Sequence, residues 1–140
     1  MKSFNIIMQA DGHVGTIDIF GLIGGSFFSD VDARSFRKEL SALGDMTELD
    51  VHIHSPGGEV MEGIAIFNTL KRHPAQVRTF VDGLAGSIAS ILVFAGEERH
   101  MASNAWIMVH APSGGVHGTA DEIERAAKVV QQHEDNLAGI

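Results

Sequence analysis

Alternating apolar and polar positions mark strands along the first half of the chain. Phe4–Met8 is a short apolar run, and in Gly15–Ile23 the residues Ile17 and Ile19 alternate with Thr16 and Asp18, so both stretches predict strands. Gly24-Gly25-Ser26 predicts a turn. Asp30–Leu43 then takes up a helical period, with Asp30 as its cap and Phe36, Leu40 and Leu43 on one face. Gly44-Asp45 ends it. Glu48–His54 returns to period two, with Leu49, Val51 and Ile53 on one side. Pro56-Gly57-Gly58 breaks that strand, and a second helix striped by Val60, Ile64 and Phe67 runs to about Arg72, where His73-Pro74 stops it. Val77–Val81 predicts a strand, followed by a small-residue turn around Ser87 and a third helix to about Ala95. Glu98–Ala102 and Ala105–His110 predict short strands, and Ser113-Gly114-Gly115 a loop. Thr119-Ala120-Asp121-Glu122 is a capping-box pattern opening a long helix to about Leu137.

Strands that alternate with helices predict an α/β fold whose sheet is mostly parallel, with helical crossovers. Ligands of such sheets sit at the carboxyl ends of strands. Three stretches follow directly on strand ends: Ser55-Pro56-Gly57-Gly58, Asp82-Gly83-Leu84-Ala85-Gly86-Ser87-Ile88-Ala89-Ser90 and Val109-His110-Ala111-Pro112. Their shared position points to one site.

Composition narrows the chemistry. The chain has 140 residues, 44% hydrophobic and 20% charged, enough for one domain with a real core. It has no cysteine, which excludes disulfides, thiolate metal sites and a cysteine nucleophile. Its net charge of −8, spread along the chain, argues against nucleic acid as a partner. No apolar run reaches the about 18 residues of a membrane span, and the N-terminus does not read as a signal peptide, so the expected location is cytoplasmic.

Acyl transfer by a serine needs a base for its proton and N–H donors for the oxyanion that forms. Ser87, at a strand-to-helix turn where backbone N–H groups are unpaired, is the candidate nucleophile, and His110 the candidate base. The N–H groups of Gly58 and Ile88 are the candidate oxyanion donors. Each feature also has a plain structural account. Ser87 suits a tight helix–sheet contact beside Ala85, Gly86 and Ala89; His110 suits a strand-end core position; Pro-Gly-Gly suits a simple turn or an anion nest. Ser90 is the reserve nucleophile, its hydroxyl expected to bond the carbonyl four residues back, and His117 the reserve base. His52 and His54 face the same way on one strand, but no third ligand is near, so no metal site and no cofactor are expected.

Taken together, Ile53–Gly58, Val81–Ser90 and Met108–Pro112 resemble the Clp protease proteolytic subunit (ClpP) family, most closely its phage and prophage head-maturation members. The resemblance implies a ClpP/crotonase-like fold of repeated β-β-α units with a protruding C-terminal handle helix, Thr119–Leu137. It implies a serine endopeptidase with Ser87 as nucleophile, His110 as general base and Gly58 and Ile88 as oxyanion donors. It further implies a protein or peptide substrate added as a strand between the segment after Gly58 and the Ser113–Gly115 loop, with Gly57, Glu59, Ser113, Gly114 and Gly115 in contact with it. A homo-oligomer, with a ring as one form, is expected, since Ile123, Ala127, Val130 and Leu137 stripe the handle helix; an ATPase unfoldase partner is left open. The sequence departs from the family in two places, with His54 where Asn is usual and Ala85-Gly86 where Ala-Ala is common. The family's third catalytic group is an Asp after the handle helix; the chain reads as a single domain, 1–140, lacking that segment, and Asp135 does not match the position. Two alternatives differ in class: a catalytically inactive assembly or scaffold protein of this fold, and a crotonase-like acyl-CoA enzyme.

Overall fold

The computed structural model describes residues 6–8, 13–24 and 31–140. The expected Gly24-Gly25-Ser26 turn, the Asp30 cap and the start of the first strand at Phe4 lie wholly or partly outside them. Two compact units divide the chain, Met1–Val109 and His110–Ile140.

In the first unit the strands β1 (Ile6–Met8), β2 (Val14–Phe20), β3 (Glu48–Ser55), β4 (Gln76–Gly86) and β5 (Glu98–Met101) lie side by side in chain order, and β6 (Trp106–Met108) also pairs with β4. β1 is antiparallel to β2; every other pairing is parallel. Helices α1 (Ala33–Ala42), α2 (Val60–Lys71) and α3 (Ala89–Val93) make the crossovers. Right-handed crossovers between strands taken in order place successive helices on the same face of the sheet. The strand sequences agree, because Ile17, Ile19, Leu49, Val51, Ile53, Val77 and Val81 are buried and alternate with half-buried or exposed neighbours. Phe36 and Leu40 of α1, Ile66 and Leu70 of α2, and Leu92 of α3 complete the core.

Local chemistry fixes the helix ends. Asp32 caps α1 by accepting the Ser35 N–H at 2.8 Å, two residues later than the cap expected from sequence. The Glu62 carboxylate, reaching from α2, accepts the Ala33 N–H at 2.7 Å and satisfies a second N-terminal donor of α1. Thr79 is polar yet buried at an inward position of β4; its hydroxyl donates to the Val93 carbonyl at 2.8 Å and closes the carboxyl end of α3.

On the other face of the sheet, side chains meet across strands in register. Asp18, His52, Phe80 and His100 form one row, with the Phe80 ring stacked 4.8 Å from His52 and 4.6 Å from His100. These separations match the spacing of neighbouring strands. His52 Nδ1 also meets the Asp82 carboxylate at 2.8 Å. In the next row Arg78 bonds Asp50 and Glu48, both at 2.6 Å. A partly exposed pair of this kind contributes less than about 1 kcal/mol, so it serves strand register more than stability.

The second unit holds α4 (Ala120–Leu137), whose start follows the predicted capping pattern: the Glu122 carboxylate accepts the Thr119 N–H at 2.7 Å and its hydroxyl at 2.9 Å. Those bonds hold the Glu122 carboxyl below its ordinary pKa. No described helix is long and apolar enough to cross a membrane.

The Asp32 cap generates a pH-dependent expectation. The Ser35 backbone N–H is the main cause that lowers the Asp32 pKa in the folded protein. A carboxyl depressed by folding contributes stability above its unfolded pKa and loses it as pH falls through the folded value. Asp32→Ala is therefore expected to cost about 1 kcal/mol at pH 7, with the gap closing below about pH 4. Urea unfolding of both proteins across that range measures it.

Candidate active site

Two turns at the carboxyl ends of β3 and β4 press their backbones together. A Cβ at Gly57 would lie 2.6 Å from the Gly86 carbonyl oxygen, 2.7 Å from the Ser87 Cβ and 3.1 Å from the Ile88 nitrogen. A Cβ at Gly86 would lie 3.0 Å from the Pro56 carbonyl oxygen. No side chain fits at Gly57, whereas one at Gly86 would need the Pro56 backbone to give by a few tenths of an ångström. Gly57 also has φ +99°, a conformation other residues rarely adopt. The Ser55 side chain, fully buried, shapes this turn by accepting the Gly57 N–H at 3.1 Å.

Gly58 is pinned on its other side by Ile23. The Gly57 carbonyl accepts the Ile23 N–H at 2.9 Å and the Glu59 N–H donates to the Ile23 carbonyl at 2.8 Å. Groups on both sides of Gly58 thus turn toward Ile23, and in extended backbone the Gly58 N–H faces the opposite way. Among the described residues no backbone acceptor takes the Gly58 N–H or the Ile88 N–H.

Ser87 has φ +51°, the only positive φ on a described residue other than glycine. That left-handed conformation costs a residue with a Cβ about 1–2 kcal/mol. It turns the chain sharply from β4 into α3, the device by which strand-to-helix turns present a nucleophile. The strain is held from two directions: the Ser87 N–H donates to the Met108 carbonyl at the end of β6 (2.8 Å), and the Ser87 carbonyl accepts the Ser90 N–H (3.0 Å) and the Ser90 hydroxyl (2.6 Å). Ile88 is buried and packs against Gly63 of α2, where a Cβ would collide with its side chain.

Several expectations change in detail. The Ser90 hydroxyl bonds the carbonyl three residues back instead of four, because α3 begins only at Ala89; it is committed to the turn. Being five residues long, α3 offers a negative charge individual N–H groups more than a macrodipole. Glu59 stands at the N-cap of α2 without a side-chain capping bond. In the second unit His110, Ser113, Gly114, Gly115 and His117 are exposed, and Gly114 lies beside Val130 of α4. No group of three or more His, Asp or Glu suited to a metal is found among the described residues. Sequence reasoning placed Ser55 and Met108 within its motifs but gave neither a role. A Ser two residues before a glycine turn was a usable signal for the first; the second acts through its carbonyl, which no side-chain pattern reveals.

The strain at Ser87 has a measurable consequence. Ser87→Gly should be about 1 kcal/mol more stable than Ser87→Ala, because glycine adopts this φ without penalty. Equal stabilities in guanidinium unfolding would contradict a left-handed residue 87.

Residues 23–140 match the family model described as Clp protease. That span contains both glycine-dependent turns and the whole α2–β4–α3 framework that holds them, so the likeness carried by three separate motifs is a family relationship: the chain belongs to the Clp protease family.

Proposed function

We propose that the protein is a serine endopeptidase in which Ser87 is the nucleophile, His110 the general base, and the N–H groups of Gly58 and Ile88 the oxyanion donors. Membership of the Clp protease family supports peptidase chemistry on protein substrates. The observation that carries the residue assignment is the strained Ser87 turn lying against Gly57, with the N–H groups of Gly58 and Ile88 flanking that contact in sequence. Backbone strain persists only where surrounding structure enforces it, and it concentrates at functional sites.

In this mechanism the Ser87 Oγ attacks the scissile carbonyl carbon as its proton passes to the His110 imidazole. The carbonyl oxygen becomes an oxyanion, stabilised by the two main-chain N–H groups; loss of one such donor costs about 3–4 kcal/mol of transition-state stabilisation. The intermediate collapses, the C–N bond breaks, and the amine leaves with the proton from the imidazolium. Water then attacks the acyl-enzyme with His110 again as base, releasing the acid and restoring Ser87. No residue of 1–140 is assigned the role of orienting His110. The motif spellings favour the phage and prophage head-maturation branch, for which the substrate would be a capsid precursor protein. Gly57, Glu59 and Ser113–Gly115 are proposed to hold it.

A fluorophosphonate probe is expected to label Ser87. Ser87→Ala should abolish labelling, and His110→Ala should slow it by about 10³-fold or more. Peptide mapping of the adduct checks the position, and labelling that survives Ser87→Ala defeats the assignment.

We also propose self-association through α4. Ile123 is 47% exposed, and no residue of α4 is buried. An isolated helix of this length is marginal in water, so partner contacts would supply its stability. Ile123→Glu is expected to shift the protein to a smaller mass in native mass spectrometry; an unchanged mass argues against this face.

A further inference from the structure

Strand β4 changes neighbours halfway along. Arg78–Val81 pair with β5, whereas Leu84–Gly86 pair with β6. The change occurs at a bulge: Ile53 is opposite Val81 but Ser55 is opposite Ala85, so Asp82, Gly83 and Leu84 face the single residue His54. Extra residues of this kind bend a strand and re-aim the chain beyond them. Gly86 and Ser87 lie just past this bulge.

The imidazole of His54 occupies the space at the bulge. A Cβ at Gly83 would lie 2.5 Å from its Nδ1 and 2.9 Å from its Cε1, so the ring lies where a side chain at residue 83 would begin. Its other neighbour is Phe20 of β2, edge-on at 5.6 Å and 74°. The His54 carbonyl accepts the Gly21 N–H at 3.0 Å, and the next residue, Ser55, accepts the Gly57 N–H. His54 therefore joins both arms of the site, Gly57-Gly58 on its own strand and Gly83–Ser87 on the neighbouring one.

We propose that His54 is a positioning residue: its ring, seated over Gly83 and braced by Phe20, holds the β4 bulge in the shape that brings the Ser87 turn against Gly57. The inference rests on Ser87 being the nucleophile for its effect on chemistry, but not for its effect on backbone order.

The experiment therefore has two readouts, on the full chain with His54→Ala, Gly83→Ala and the double variant. In amide hydrogen exchange, each single variant is expected to raise exchange about tenfold at residues 83–88 and 57–59, with α1 unchanged. In fluorophosphonate labelling of the folded protein, each is expected to slow the reaction about tenfold or more, since small misplacements of reacting groups have effects of that size. Because both substitutions disrupt one contact, the double variant should be no worse than the more impaired single. Unchanged exchange at both segments, additive losses in the double variant, or a lower unfolding midpoint with an unaltered labelling rate would each overturn the proposal. Gly83→Ala displaces the ring without removing it, so it decides the matter if His54→Ala does not fold. A wild-type protein that resists the probe would count against Ser87 as nucleophile, while exchange would still judge His54.

Discussion

Two stretches of main chain approach each other too closely for a side chain to stand between them. Pro56-Gly57 and Gly86-Ser87 meet backbone to backbone, and the rest of the site is arranged around that approach. It explains why the first turn requires glycine at residue 57 and why the two turns lie on neighbouring strands. It also explains the effort spent in holding them: Ser55 on one side, Ile23 behind Gly58, the Met108 carbonyl under Ser87, and Ser90 from within α3. A parallel sheet supplies the platform, since the ends of β3, β4 and β6 all emerge on one edge.

The sheet itself is built unevenly. Parallel sheets are commonly covered on both faces and then read as continuous apolar runs. Here β2, β3 and residues 76–82 of β4 alternate, with an apolar face under the helices and a polar, aromatic face carrying the His52–Phe80–His100 stack. That alternation made the strands readable at the level of sequence, because period two is a stronger signal than a short apolar run.

Much of the framework was legible from residues alone: the strand–helix order, the three strand-end motifs, and the Thr119–Glu122 start of α4. What escaped was non-local. Asp82-Gly83 looks like the end of a strand, yet β4 continues to Gly86 because β6 arrives from about twenty residues downstream to pair with Leu84–Gly86. The cap of α1 is Asp32, and two acids spaced two apart before one helix cannot be ranked without the backbone. Thr79 reads as an interruption of an apolar face until the Val93 carbonyl it satisfies is in view. At the site, the glycine turns and Ser87 were visible as residue types, but the left-handed φ at Ser87 and the bond from its amide to Met108 belong to the assembled chain.

The bond between the Ser87 amide and the Met108 carbonyl carries a consequence for synthesis. Strands β2 to β5 lie in the order in which a ribosome delivers them, so each can dock on its predecessor as it emerges. The turn bearing the hydroxyl follows the third of those four strands, but the acceptor for its amide arrives only when residue 108 leaves the exit tunnel. The nascent protein thus acquires most of its sheet before the bond that fastens this turn, and a half-made chain is left without the finished turn.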